Sequence, residues 1–177
     1  MPYEVIGHAA RMSISTGNGD GGETGLFGGQ RVGKDSAVVA ALGAVDEANC
    51  AIGWAHVAAD EQLGAELERL QSEFFVLGAQ LAGGSPVLGD SEVARVTAAL
   101  HALEAELPAL TSFILPGGSE LAARIHWARA VVRRAERAVV AAGVQGTAVV
   151  YLNRVADLLF QMARAANGGD DREWHPA

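Results

Sequence analysis

One cysteine and one lysine in 177 residues set the first limits. Cys50 has no second thiol to pair with, so no internal disulfide can staple the chain, and a core must hold it together. Its setting among Ala48, Ala51 and Ile52 reads as a small packed hydrophobe in a reducing, cytoplasmic protein. Aromatic residues make up only 6% of the chain and prolines number 5, which leaves little of the material for an aromatic-rich β-sandwich. Positive charge is scarce: Lys34 is the only lysine, and 13 basic residues against 21 acidic ones give a net charge of -8. A general nucleic-acid or anionic-membrane surface is excluded by that balance, and any anion must be bound locally. The longest apolar run, near Ala37 to Val45, stops at Asp46 and Glu47, far short of a membrane span. The first dozen residues, with Glu4 and His8, lack the basic start and apolar block of a secretory signal.

Helical periodicity recurs between glycine and proline breaks. Leu63, Leu67, Leu70, Phe74, Leu77 and Leu81 step by four and three, forming one seam of a helix that ends near Gly83-Gly84-Ser85-Pro86. Before it, Val38, Leu42, Val45 and Ile52 line a helix from about Asp35 to Ala59. After it, Val93, Val96, Leu100, Leu103 and Leu107 line another, with Asp90 or Ser91 as its cap. Pro108 to Gly118 is a break, and Ser119 caps a fourth helix that Gly143 to Gly146 ends. Tyr151, Leu152, Val155, Leu159, Met162 and Ala166 lie on a fifth. The expected fold is all-α, a five-helix up-and-down bundle with an irregular glycine-rich N-terminal arm. It forms one domain over 1–177, with a loop at 13–34, a bundle at 35–167 and a tail at 168–177.

Chemistry concentrates in two places. The fourth helix buries Ile125, Ala128, Val132, Ala135 and Val139 on one stripe and carries Arg129, Arg133, Glu136 and Arg137 together on its flank, with Arg134 beside them. Guanidinium forks suit a multiply charged anion, because each donates several hydrogen bonds and keeps its proton. The same flank also suits a solvated face with an internal Arg133–Glu136 pair. The second place is Thr16 to Lys34, where eight of the seventeen positions from Gly17 to Gly33 are glycine. Such a segment reads either as a disordered arm or as backbone able to wrap a phosphate chain, with Thr16, Asp20, Thr24 and Lys34 supplying hydroxyls, a carboxylate and one ammonium. Gly28 to Lys34 mimics P-loop spacing, but Asp35 stands where the Mg²⁺-binding Ser or Thr belongs and no strand reads before Gly28.

The ordered set of motifs resembles the propanediol-utilisation type of ATP:cob(I)alamin adenosyltransferase, the corrinoid adenosyltransferases, from Thr16 to Asn167. It runs from Thr16-Gly17-Asn18-Gly19-Asp20, Thr24 and Lys34 to Val45-Asp46-Glu47-Ala48-Asn49 with Gly53. Phe113-Ile114-Leu115-Pro116-Gly117-Gly118 follows, then His126, Arg129, Arg133-Arg134-Ala135-Glu136-Arg137 and Tyr151-Leu152-Asn153-Arg154. The resemblance implies a homotrimer that moves the 5′-deoxyadenosyl group of ATP onto the cobalt of cob(I)alamin or a related corrinoid, with both substrates between neighbouring subunits. It assigns ATP to Thr16, Gly17, Asn18, Gly19, Asp20, Thr24, Gly25, Lys34, Arg133, Arg134, Glu136, Arg137 and Asn153, with Mg²⁺ arriving on ATP near Glu136. Asp46 and Arg129 would pair across the interface and shape the corrinoid pocket, with His126 beside them, and Phe113 would press on the lower face of the corrin. Arg133, Phe113, Asp46 and Arg129 are the residues on which transfer would depend. A flavin reductase and an adenosylcobalamin-dependent enzyme are the implied partners. Gly17 and Gly21 stand where the family commonly has lysine.

Two other classes stay open on sequence grounds. A non-catalytic trimer could use the same pockets to sense or carry ATP or cobalamin, although every residue expected for transfer is present. A ferritin-like metal bundle needs paired Glu-x-x-His motifs, which are missing, and the five scattered histidines read as surface or packing residues.

Overall fold

The computed structural model describes residues 15–176; residues 1–14, including Glu4, His8 and the expected loop start at Ser13, lie outside the described part. Five helices account for most of it: α1 (Ala37–His56), α2 (Glu61–Leu81), α3 (Asp90–Glu106), α4 (Glu120–Ala141) and α5 (Thr147–Ala166). Their ends follow from local chemistry. Asp60 accepts the Leu63 N–H at 2.9 Å to start α2, and Ser119, the expected cap, accepts the Ala122 N–H at 3.1 Å to start α4. The start of α3 differs. Gly89 holds the cap position, with Asp90 and Ser91 already inside the first turn, and the Glu92 carboxylate reaches back to the Gly89 N–H at 2.8 Å. At the end of α2, Gly83 turns left-handed at φ 84, and a Cβ on Gly84 would lie 2.8 Å from the ring of Phe27.

The helices form the expected bundle, but sequence neighbours are not always spatial neighbours. α1 packs on α2 and α4, α4 on α5, and α5 on α3. The segment from Leu107 to Gly118 therefore crosses from α3 to the start of α4. Leu67, Leu70, Leu77, Ile125, Val132, Leu152, Leu159 and Met162 are fully buried, each contributing about 1.5–3 kcal/mol of apolar stabilisation. α3 is shallow: of its expected stripe only Val96 is fully buried. Val93, Ala99, Leu100 and Leu103 pack half-buried against the core, and the side of α3 toward α2 is polar. Arg95 makes a bidentate pair with Glu73 at 3.0 and 2.7 Å and reaches Glu66 at 2.6 Å, while the Tyr151 hydroxyl donates to Glu73 at 2.7 Å.

α1 departs from expectation in two respects. By length and composition the whole helix is apolar enough to cross a bilayer, yet it carries Asp46 and Glu47 at its middle and buries Ala41, Val45, Ala48, Ile52 and Ala55 in the core. Cys50 is exposed rather than packed, because it falls on the side opposite that stripe, in line with Ala40, Gly43 and Trp54. The arm is also more ordered than its glycine content implies. Strands β1 (Glu23–Gly25) and β2 (Arg31–Gly33) pair antiparallel with Thr24 opposite Val32, joined by a tight helical turn at Phe27–Gly29.

Candidate active site

The arm presents a knot of backbone around one ammonium. Asp20 N–H bonds Gly17 O at 3.2 Å, Gly22 N–H bonds Gly19 O at 3.2 Å, and Lys34 N–H bonds Gly22 O at 2.8 Å. The last bond folds the start of the arm over β2, and a Cβ on Gly19 would lie 3.0 Å from Lys34 Nζ, so the ammonium lies against the Gly17–Asp20 turn. Arg31 ties the knot from the other strand. Its Nη2 donates to Asn18 O at 2.9 Å and its Nε to Glu23 at 3.3 Å. Sequence reasoning missed Arg31, since only the hairpin register, which sets it opposite Gly25, brings its side chain diagonally onto Glu23 and beside Asn18. Thr16, Thr24 and Gly25 belong to the same surface, and Phe27 N–H fastens the hairpin to Ala82 O at 3.0 Å, at the end of α2.

The arginine flank lines two adjoining hollows on another side of the bundle. Arg133, Glu136, Arg137, Val140, Ala141 and Asn153 surround one of about 480 Å³. Leu100, Glu104, Arg129, Arg133, Ala156, Asp157, Phe160 and Gln161 surround the other, of about 370 Å³. Arg133 is common to both. The Arg133–Glu136 pair does not form; instead Arg137 donates to the Arg133 carbonyl at 2.9 Å. Arg134 is turned about 100° further around the helix and pairs with Glu47 on α1 rather than lining either hollow.

Arg129 is held over the Phe160 ring at 5.8 Å, and its buried Nε lacks a hydrogen-bond partner among the described residues. Burial, followed by repulsion from Arg133, lowers its pKa from the ordinary arginine value. His126 lies beneath, 4% exposed and edge-on to Phe160, with both ring nitrogens unpartnered among the described residues. Desolvation lowers its pKa, Arg129 lowers it further, and Asp171 opposes both. So deep a residue offers no surface to a corrinoid in this chain. Within the chain it packs edge-on against Phe160, beneath Arg129.

Asp46 lies elsewhere, on the exposed rim of a hollow of about 360 Å³ formed by Phe27, Leu42, Val45, Asn49, Phe74, Phe75, Gly78 and Ala79. Within one chain Asp46 and Arg129 thus occupy different cavities. Phe113 stands 81% exposed on the crossing segment. Among the described residues no three His, Cys, Asp or Glu side chains converge to cage a metal.

Comparisons with known proteins give the chain a family and a fold. A family model for cobalamin adenosyltransferase matches residues 14–166. The chain is 44% identical over 171 residues to a cobalamin adenosyltransferase of Cupriavidus metallidurans, covering 91% of this chain and 93% of the relative. It is 42% identical over 181 residues to a corrinoid adenosyltransferase of Mycobacterium tuberculosis, covering 92% and 93%. Among solved structures, a phenylalanine-to-histidine variant of a PduO-type ATP:corrinoid adenosyltransferase from Lactobacillus reuteri, complexed with cobalamin and ATP, superposes with a TM-score of 0.86. That pair is 31% identical, over 92% of this chain and 97% of the other.

Proposed function

The chain belongs to the cobalamin adenosyltransferase family, and we propose that it works as a homotrimer whose sites are completed between neighbouring copies. It is an ATP:corrinoid adenosyltransferase: the 5′-deoxyadenosyl group of ATP passes to the cobalt of a reduced corrinoid, giving adenosylcobalamin and triphosphate. The observation that carries the composite site is Arg133. It lines both hollows of the arginine side, yet among the described residues it has no ion pair within its own chain. A cation so placed, with the loop and Asp46 on other faces, calls for a ligand and a second copy. The exposed sides of α1 and α4 support that copy: Ala40, Gly43, Glu47, Cys50 and Trp54 on one and Ala123, Trp127, Ala130 and Arg134 on the other recur at three- and four-residue steps, small or apolar except for the Glu47–Arg134 pair.

The reaction explains why no acid–base pair is needed. Co(I) of the substrate supplies the electron pair that forms the Co–C5′ bond; the C5′–O bond breaks and triphosphate departs with its electrons. The protein positions the reactants and offsets charge on the leaving group. In this reading Arg133, Arg137 and Asn153 hold triphosphate from one subunit, while Lys34 and the Gly17–Asp20 turn close over it from the next. Mg²⁺ would arrive on the nucleotide, since Glu136 is the one acid lining that hollow, and would offset part of the phosphate charge. Asp46 of one copy would meet Arg129 of its neighbour, giving that half-buried guanidinium the acidic partner it lacks. Phe113 would crowd the lower face of the corrin, which leaves cobalt with fewer ligands and easier to reduce. A flavin reductase would supply the electron, and an adenosylcobalamin-dependent enzyme would take the product, in the cytoplasm.

Subunit mixing tests the arrangement. Lys34→Ala and Arg133→Ala proteins, each nearly inactive, are co-refolded in equal amounts and assayed with ATP, Mg²⁺ and chemically reduced cobalamin. If Lys34 and Arg133 of different copies share a site, about a quarter of the sites regain both residues and activity returns to that extent. A mixture as inactive as its parents would place both residues in one chain and sink the composite site.

A further inference from the structure

Phe113 is so exposed that its side chain receives little support from its own subunit, and its place is fixed through the backbone. That backbone is held by the last stretch of the described chain. Trp174 N–H donates to Phe113 O at 2.7 Å and Leu115 N–H donates to Arg172 O at 2.8 Å, an antiparallel bridge centred on Ile114 and Glu173. The stretch is held in turn by a buried ion pair: Arg164 Nε meets the Asp171 carboxylate at 2.7 Å, with side chains 4% and 7% exposed. The same guanidinium donates to Pro108 O at 2.7 Å, where the crossing segment begins, and to Gln161 at 3.1 Å. Asn167 holds the other end. Its amide donates to Gly117 O at 3.0 Å and accepts the Ser119 N–H at 2.9 Å, and it lies so near Gly118 that a Cβ there would collide with it.

We infer that Arg164 and Asp171 are positioning residues for the corrinoid: through the pairing of residues 172–174 with residues 113–115, they set where Phe113 stands against the corrin. A buried ion pair is an inefficient way to gain stability, because desolvation offsets most of the attraction, but its geometry is demanding and so it fixes a register well. Here the register fixed is that of a segment presenting one exposed aromatic. This inference rests on the reading of Phe113 as the group beneath the corrin.

Four proteins decide it: wild type, Phe113→Ala, Asp171→Asn and Trp174→Pro, the last removing the N–H that bonds Phe113 without touching Arg164. Each is assayed for KM toward ATP and toward cobalamin, and the four-coordinate cob(II)alamin signal is read by electron paramagnetic resonance in the presence of ATP. Asp171→Asn and Trp174→Pro should raise the corrinoid KM about tenfold or more and lower the four-coordinate signal several-fold, with the KM for ATP unchanged. Equal losses toward both substrates would reduce the clamp to general stability and overturn the inference. So would an unchanged signal in the tail variants when Phe113→Ala lowers it. An unchanged signal in Phe113→Ala itself would overturn the reading of Phe113, and the corrinoid role of the clamp with it. Should Asp171→Asn fail to fold, Trp174→Pro decides by the same criteria.

Discussion

Arg133 and Arg134 are adjacent in sequence and identical in chemistry, yet the structure gives them different surroundings, so their replacement by alanine should have very different costs. Arg134 pairs with Glu47 in the open, with side chains 52% and 60% exposed. A pair of that kind contributes at most about 1 kcal/mol, so Arg134→Ala should leave turnover within a factor of about three. Arg133 lines both hollows and has no acid to satisfy it within the chain among the described residues. Facing triphosphate, its fork would supply two charge-assisted hydrogen bonds at roughly 1.5–3 kcal/mol each. Even the lower end, about 3 kcal/mol, is about two decades of rate at 1.36 kcal/mol per decade, if the bonds strengthen as charge develops on the leaving group. Arg133→Lys keeps the charge but loses the fork, and should fall between the two. The assay is the rate of adenosylcobalamin formation with saturating ATP and chemically reduced cobalamin, normalised to assembled protein. Near-normal turnover in Arg133→Ala, or equal losses at the two positions, would refute the division of the flank. A change in the KM for ATP alone would show that Arg133 binds ground state and transition state equally.

Three further outcomes can be measured. His126 is buried with its pKa lowered, so the unfolded chain binds its proton more readily; its contribution to stability is complete above its ordinary value of about 6.5 and is lost as pH falls below it. Thermal midpoints between pH 7 and 5.5 should fall more steeply for wild type than for His126→Leu, and parallel curves would contradict the sign. Tyr151→Phe removes one donor to Glu73 and leaves the bidentate Arg95 in place, so urea unfolding should show a loss of about 1–2 kcal/mol; Arg95→Met, which strands Glu66 and Glu73, should cost more. Gly21 has open space around it and no left-handed φ, whereas Gly17 stands at φ 70; Gly21→Lys should lower the KM for ATP several-fold, while Gly17→Lys adds backbone strain of about 1 kcal/mol that works against any gain. Unchanged ATP binding in Gly21→Lys would mean that the loop does not face phosphate.

The bundle was legible because each core stripe is carried by residues four and three apart, and a helix with one apolar side has one way to turn. Ser119 acts locally, so the cap expected for α4 holds in the structure, whereas the one expected at Asp90 or Ser91 falls to Gly89 because Glu92 reaches back to its N–H. The misreadings share a cause: each depends on a partner distant in sequence or on a motif too short to show a period. Three-residue strands rich in glycine show no alternation, so the hairpin of the arm and the tie made by Arg31 emerge only from the pairing register. The grip of Arg164 on Asp171 and Pro108 joins three segments by single contacts, and no periodicity marks it. The resemblance carries the run from Arg133 to Arg137 as a block, whereas the turn of the helix carries Arg134 toward Glu47.

α1 shows how such a misreading can be informative. A surface helix normally turns a polar side to water, but here one face enters the core and the opposite one presents Ala40, Gly43, Cys50 and Trp54. Periodicity does not rank a core face against an outward one that is mostly small or apolar, so Cys50 reads as packed from its neighbours and the helix as a whole reaches the apolarity of a membrane span. Asp46 and Glu47 at its middle argue for a protein partner over lipid, because acids in the bilayer centre are costly while acids beside a subunit contact can meet arginines. Glu47 already meets Arg134 within the chain, whereas Asp46 stands exposed on a hollow of its own and Arg129 lies half-buried with an unpartnered nitrogen on another. The unmatched acid on one surface and the unmatched base on another are what neighbouring copies in a ring can satisfy in each other. An oligomer built on the α1 and α4 faces therefore covers exposed apolar area and pairs those charges in the same step.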